Sequence, residues 1–207
     1  MAISKKQTDN PFAAQREKHA AENKRSFGSY LKTGETFGYV VAIGDSPSEY
    51  YAATQDIFVK NGAPNVTNRY AVNMVIMGAD NETGLKDGWE NSVIPMVLPK
   101  AVRDEITELG FEGATLSHVD ADGKFHAGTL FKLGRHGTGL STRYTVRKAN
   151  MDAVEVAVPK SVTPADETVA EFAMSYTTYQ QDRATKQIAE QTSATPEQDP
   201  ASSDMPW

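Results

Sequence analysis

The sequence predicts a mainly β fold with helices as minor elements, and three observations lead to that class. From residue 35 onward, apolar residues alternate with small or polar ones, which is the period of a β-strand. Over the same region, helical spacing is confined to two segments, 99–110 and 163–186. Breaks that contain glycine or proline, such as 44–47 and 134–139, separate the strand-like segments.

Four strand candidates precede the first of these helices. Alternation over 35–43 defines the first candidate, and an apolar run at 57–59 marks a short second one. The segment 70–77 is the longest, and the segment 93–98 contains Pro95. Because proline removes a backbone donor, 93–98 is expected at a sheet edge or a bulge. A five-stranded fold requires a choice among the later three candidates.

The helix over 99–110 is indicated by apolar residues at i, i+4 and i+7, beginning at Val102, and by Gly110 as its C-terminal cap. Two more strands, 128–133 and 140–147, flank a glycine-rich loop and form a hairpin. A five-stranded Greek-key barrel of the OB type places its helix between the third and fourth strands. The element order therefore predicts an OB-like barrel, with one helix before the last two strands and a further C-terminal helix.

The chain of 207 residues divides into three regions. Residues 1–26 form a basic extension whose apolar side is nearly all alanine, so it is expected to be weakly helical or disordered. Residues 27–186 form the barrel domain together with its C-terminal helix, which begins at Thr163-Pro164. Residues 187–207 are polar and acidic and are expected to be a disordered tail.

The formal net charge of −6 conceals a strong segregation of charge along the chain. Residues 1–32 carry +4, residues 33–148 carry −3, and residues 149–207 carry −7. Six cations and no anion lie between Asp122 and Asp152: Lys124, Lys132, Arg135, Arg143, Arg147 and Lys148. Such asymmetry indicates either contact with a polyanion or a solvated charged face.

Several functional classes find no support in the residues. There is no cysteine, no apolar run long enough to span a membrane and no secretory signal, so a cytoplasmic protein without membrane contact is expected. His118 and His126 flank a turn and could approach each other, but a third and a fourth metal ligand are missing. We therefore expect neither a metal site nor another cofactor.

No catalytic arrangement is visible either. The loop 134–139 has the glycine content of a phosphate-binding loop, yet a strand-like segment follows it where a Walker motif requires a helix. No nucleophile with a base and an orienting residue is visible elsewhere. The sequence thus indicates a protein that is not an enzyme, with a nucleotide-dependent enzyme as a less favoured alternative.

The predicted hairpin has the chemistry of a nucleic-acid interface. Alternation turns Leu140 and Tyr144 toward a core, and turns Arg143, Arg147 and Lys132 to the opposite face. Cations that follow a backbone, with aromatic rings for base stacking, are typical of single-strand binding. Trp89 is the preferred stacking residue because it lies in a polar loop. The complete candidate set is Tyr39, Arg69, Tyr70, Trp89, Lys100, Phe131, Lys132, Arg135 (at the hairpin tip), Arg143, Tyr144 and Arg147.

The C-terminal segment is the second candidate site. After Lys186 there is no further cation, and the chain ends in an acidic strip closed by an aromatic residue. A disordered acidic strip with a large aromatic anchor is suited to docking in a pocket with a basic rim. The candidate partner-binding residues are Asp199, Asp204, Met205, Pro206 and Trp207.

Two segments resemble known single-stranded DNA-binding proteins. Asp204-Met205-Pro206-Trp207 resembles the C-terminus of the bacterial proteins, an acidic stretch closed by Asp-Ile-Pro-Phe. Residues 137–146 (GTGLSTRYTV) resemble a Gly-x-Gly-Leu-x-Thr-x-Tyr-x-Val pattern of phage-encoded members. Here the acids are fewer, Trp replaces Phe, and the long helix near 164–186 exceeds a minimal OB barrel.

The resemblance implies an OB-fold that coats single-stranded DNA during phage replication or recombination, in the host cytoplasm. It also implies a tail that recruits a polymerase, helicase or nuclease and competes with DNA for the basic groove. A phage structural or assembly protein that uses its tail for docking is the alternative, and the sequence leaves the oligomeric state open.

Overall fold

The computed structural model describes residues 30–43, 47–81 and 89–193. Within these ranges the chain is mainly β. The strands are β1 (Gly34–Ile43), β2 (Tyr51–Lys60), β3 (Ala63–Asn81), β4 (Val93–Pro99), β5 (Ser117–Val119), β6 (Phe125–His126), β7 (Leu130–His136) and β8 (Arg143–Lys148). The α-helices are α1 (Lys100–Phe111) and α2 (Val169–Ser193), and short 3-10 turns span Pro47–Tyr50, Gly139–Ser141 and Met151–Ala153.

The 19-residue strand β3 organises an open, mixed sheet. Along one edge it pairs antiparallel first with β2 and then with β1, while β4 pairs with its other edge. The second edge of β1 pairs antiparallel with β7 and, at its C-terminal end, parallel with β5. The hairpin β7–β8 completes the sheet. Strands β4 and β8 form no ladder with each other in the described part of the chain, so a closed barrel is not observed.

Strand boundaries differ from the predicted ones where polar residues continue a ladder. The runs 57–59 and 70–77 belong to the longer strands β2 and β3, which form a hairpin that is largely exposed toward its turn and therefore shows no regular apolar alternation. The short strands β5 and β6 lie between α1 and the hairpin β7–β8. Helix α1 thus precedes four strands instead of two.

Apolar residues pack on both faces of the sheet. One cluster holds Val72, Leu98, Phe131 and their neighbours together with Val102 and Ile106 of α1. On the opposite face, a second cluster centres on Tyr39 and Val75 and is covered by part of the segment 149–165. The third cluster joins α2 to the sheet through Val169, Phe172, Ala173, Tyr176, Ala71 and Val97.

The C-terminal helix is confirmed, but its limits shift in both directions. Thr168 and Glu171 form a reciprocal capping pair, in which the backbone N–H of each residue donates to the side chain of the other. This pair fixes the start of α2 at Val169, while the predicted cap Thr163 instead forms a bridge with Ser92. Residues 187–193, predicted to be disordered, continue the helix because Gln, Ile, Ala and Glu favour it. The extension 1–26 and residues 194–207 lie outside the described residues.

Candidate nucleic-acid interface

The register of the β7–β8 hairpin determines which side chains share a face. Lys132 lies opposite Arg147, and His136 lies opposite Arg143. Because directly opposed residues of antiparallel strands point to the same side, these four side chains share one face. The structure therefore brings together Lys132, Arg143 and Arg147, as the alternation predicted. We call this surface, with Thr145 between the two arginines, the cationic face.

Two of the three predicted cations on this face are available for an anion. Lys132 is not, since its Nζ lies 2.6 Å from Oε2 of Glu35 on the neighbouring strand. Arg143 and Arg147 are exposed, and neither has an ion pair within the described ranges. The positive potential of the cationic face therefore depends mainly on these two arginines.

A glycine leaves a depression in the middle of the cationic face. Gly134 lies between Lys132 and His136 along β7, and a Cβ there would lie 2.4 Å from Thr145 Oγ1. The resulting cavity has a volume of about 150 Å³ and is lined by Glu35, Lys132, His136, Thr145 and Arg147. Each lining residue carries a polar or charged group, which suits a phosphate oxygen or an ordered water better than an apolar group.

Phe37 adds an aromatic ring beside the cations. It lies opposite Lys132 on β1, is half-buried, and its ring centroid is 5.6 Å from Lys132 Nζ. The site residues predicted from the sequence did not include Phe37, His136 or Thr145. Their shared feature is register with Lys132 or Arg147, and the predicted hairpin could have revealed this for His136 and Thr145.

The loop between β7 and β8 differs from the prediction at Leu140. Gly137 and Gly139 have φ values of +77° and +55°, in the left-handed region that favours glycine, and a 3-10 turn follows. Leu140 consequently lies in that turn, fully exposed, instead of entering the core. The turn leads directly into β8 and not into a helix, so the loop lacks the helix N-terminus that a Walker-type phosphate site requires.

Arg135 is not at the hairpin tip. It lies within β7 opposite Tyr144, on the face turned away from Lys132. Its Nη1 donates a hydrogen bond to the carbonyl oxygen of Leu31 at 3.1 Å. Arg135 thus ties the segment before β1 to the sheet, and Tyr144 packs half-buried against the first core cluster.

Two predicted stacking residues are core residues. Tyr39 is 2% exposed and Phe131 is 1% exposed, so neither ring can meet a base while the core is intact. The Tyr39 hydroxyl donates to the sulfur of Met151 at 2.8 Å, and burial raises the pKa of that hydroxyl. Alternation shows that such residues share a face but does not tell which face is covered, and this is why the assignment was wrong.

The predicted extensions of the groove also lie elsewhere. Arg69 is ion-paired with Asp56 at 2.7 Å, and the guanidinium of Arg103 lies 4.3 Å from the ring centroid of Tyr70. Tyr70 therefore has one ring surface occupied and lies against the first core cluster.

Trp89 and Lys100 do not join the cationic face either. Trp89 was expected to be an exposed loop residue, but it is half-buried and packs against the first core cluster. Packing a large ring on an apolar surface removes apolar area from water, which is favourable. Lys100 pairs with Asp104 one turn further along α1. The tail residues Asp199, Asp204, Met205, Pro206 and Trp207 lie outside the described ranges, and their role stays a prediction.

The two histidines flanking the turn do meet. His118 and His126 are directly opposed on β5 and β6, with ring centroids 4.3 Å apart and nearly parallel planes. His126 Nε2 lies 2.9 Å from Asp120 Oδ2, and the same carboxylate accepts backbone hydrogen bonds from Asp122 and Lys124. These hydrogen bonds, the one to His126 first, lower the pKa of the Asp120 carboxyl. Nevertheless, no group of three or more ligands positioned for a metal ion occurs among the residues with described coordinates.

Comparisons with protein families, curated proteins and solved structures find no match to this chain. Neither α1 nor α2, the α-helices of the described ranges, is long and apolar enough to cross a membrane.

Proposed function

We propose that this protein binds single-stranded DNA without strong sequence preference, through the cationic face of β7 and β8. The observation that carries the proposal is the pair of exposed arginines, Arg143 and Arg147, on one face of a molecule whose net charge is −6. The net negative charge of the molecule opposes the approach of a polyanion, so these two arginines have to supply the local attraction. Phosphates contact the arginines, and bases pack on Phe37 and Leu140 at the two ends of the face.

The strand order supports an OB-like assignment. In this interpretation β1, β3 and β4 are the first three barrel strands, α1 is the helix after the third, and β7 and β8 are the last two. Strand β2, residues 63–68 of β3 and the strands β5 and β6 are then additions. The glycine-rich loop 137–142 corresponds to the loop between the fourth and fifth strands, which OB-folds use for binding oligonucleotides. Partial opening between the third and fifth strands is compatible with the fold.

The mechanism is electrostatic binding combined with apolar packing. Each arginine that contacts a phosphate releases a condensed counterion, so the affinity falls as salt is raised. Because every base has a π-face, packing on a ring or an aliphatic side chain discriminates little between sequences. In the same proposal the acidic tail recruits replication or recombination proteins.

The first prediction tests the site directly. The double substitution Arg143→Gln, Arg147→Gln should weaken binding to fluorescently labelled oligo-dT at least tenfold at low salt. It should also reduce the magnitude of the negative slope of log K against log salt by about 1.4, since each single-strand phosphate contact contributes about 0.7. Lys160→Gln, Lys186→Gln is the matched control, because it removes two exposed cations outside the cationic face and should leave affinity within about twofold.

The outcomes separate the site from the function. Absence of saturable oligo-dT binding by the unmodified protein at low salt contradicts the function and favours the structural or assembly alternative. Equal loss of affinity in both double variants would contradict the assignment of the binding site to the cationic face, because binding would then depend on the overall charge of the protein.

A further inference from the structure

A cavity opens where β3 exchanges one neighbouring strand for another. The β1 ladder ends at the pair Val40–Met74, and the β2 ladder begins at Tyr51–Val72. Asn73 lies between these two pairs, at the point where neither strand lines that edge of β3. The cavity has a volume of about 570 Å³ and is bordered by residues 164–168 and the first turn of α2. This volume is within the usual range of ligand pockets.

Asn73 places a hydrogen-bond acceptor in that cavity. Its side chain is 1% exposed, it lines the cavity, and its Oδ1 has no hydrogen-bond partner in the part of the chain that the structure describes. Buried polar atoms are nearly always hydrogen-bonded, since an unpartnered one destabilises the fold. A ligand that displaces water from this position therefore needs an N–H or O–H group that can donate to the acceptor.

The charge of the lining residues indicates that the donor group of the ligand is cationic. Carboxylates surround the opening, and the described lining residues include no lysine, arginine or histidine. The carboxylates are Glu49, Asp166, Glu167 and Glu171. Hydrogen bonds from the backbone and hydroxyl of Thr168 lower the pKa of Glu171, which keeps it ionised at neutral pH. These charges outweigh the positive end of the α2 dipole, which by itself favours an anion.

The remaining lining is apolar and excludes a simple metal ion. Ile43, Tyr51, Pro164, Ala165 and Val169 contribute hydrocarbon surface. Moreover, these carboxylates do not converge into a metal-binding group within the described residues. The ligand is therefore a molecule with an apolar body and at least one terminal cationic donor.

We propose that this cavity is a binding site for a small organic cation, an amine or guanidinium on an aliphatic body, whose N–H donates to Asn73 Oδ1. The carboxylates at the rim attract its charge, and the apolar walls contact its carbon chain. This proposal does not rest on DNA binding, because the cavity is lined by other residues than the cationic face.

The test is an NMR titration of the full-length protein with agmatine and with 1,5-diaminopentane. Saturable shifts of amides lining the cavity are expected at millimolar concentration or below, and the neutral analogue 1-pentanol should bind at least tenfold more weakly. Asn73→Leu, which keeps the branched shape but removes the acceptor, should weaken agmatine binding at least tenfold. Its Tm without ligand should equal or exceed that of the unmodified protein, because the unpartnered oxygen is gone.

Two further variants keep the proposal falsifiable if Asn73→Leu fails to fold. Asn73→Asp places a carboxylate at the same position and should tighten cation binding. Glu49→Gln, Asp166→Asn should weaken it several-fold and reduce its salt dependence. The proposal is overturned if neither amine binds, if 1-pentanol binds as well as the amines, or if substitutions at Asn73 leave the affinity unchanged.

Discussion

At the scale of single residues, Tyr176 joins α2 to the sheet through its hydroxyl. The hydroxyl donates to Asp56 on β2, contacts the hydroxyl of Tyr30 and accepts a hydrogen bond from Gln180 Nε2 at 2.8 Å. Asp56 in turn holds Arg69. Burial raises the pKa of Tyr176 to about 12, so the hydroxyl stays protonated where an exposed tyrosine ionises.

Tyr176→Phe should therefore lower the free energy of unfolding by about 1–3 kcal/mol, because Asp56, Tyr30 and Gln180 lose a buried partner. The pH dependence has a defined sign. A raised pKa means that the contribution is complete below pH 10 and declines as the pH rises toward 12. Urea unfolding at neutral and alkaline pH should thus show a smaller alkaline loss in the variant than in the unmodified protein.

Tyr179→Phe serves as the control because this neighbouring side chain is 45% exposed. It should change the free energy of unfolding by less than about 0.5 kcal/mol. An alkaline loss that is equal in Tyr176→Phe and the unmodified protein would show that Tyr176 titrates normally.

At the scale of elements, helix α2 is held to the sheet by one apolar side. Val169, Phe172, Ala173 and Tyr176 recur at helical spacing and are buried, whereas Met174 points to solvent with 64% exposure. The Thr54 hydroxyl adds hydrogen bonds to the Ala173 carbonyl and the Thr177 hydroxyl. The helix is thus an integral part of the domain.

Phe172→Ala should accordingly destabilise the protein by about 3–5 kcal/mol, since it leaves a cavity between α2 and the sheet. Met174→Ala removes a long apolar side chain from the exposed side of the same helix and should cost less than about 0.5 kcal/mol. Thermal or urea unfolding measures both. Similar losses in the two variants would mean that α2 is stabilised by its own helix propensity and not by packing.

At the scale of the whole molecule, the charge is segregated between the cationic face and the C-terminal part of the chain. The sequence from residue 149 onward carries −7, while the cationic face carries unpaired arginines. Opposite charges on one chain compete with external partners of either sign. The corrected end of α2 at Ser193 also moves the boundary for a truncation that leaves the folded domain intact.

Deleting residues 194–207 removes three carboxylates and should preserve or tighten binding of oligo-dT at low salt, with the difference shrinking as salt is raised. The same deletion should abolish pull-down of replication proteins. Fluorescence anisotropy at two salt concentrations measures the first effect. Weaker DNA binding after the deletion would contradict competition by the tail.

The periodicity of the sequence was sufficient to predict those features that depend only on neighbouring residues along the chain. The helix at 99–110, the hairpin at 130–148 and the common face of Lys132, Arg143 and Arg147 follow from periodicity, which backbone geometry imposes on every strand and helix. The full length of the ladder between β2 and β3 was not predicted, because its residues show no regular apolar alternation. Tyr39 and Phe131 were misassigned because burial depends on what covers a face.

The sequence by itself determined a mainly β chain with two helices, a cationic hairpin and an acidic C-terminal segment, because composition and period are properties of consecutive residues. Only the tertiary structure decided that Lys132 is paired with Glu35, that Arg135 turns inward, and that a cavity forms around Asn73. Each of these depends on which distant strand lies alongside, and pairing between strands remote in sequence is set by packing of the whole domain.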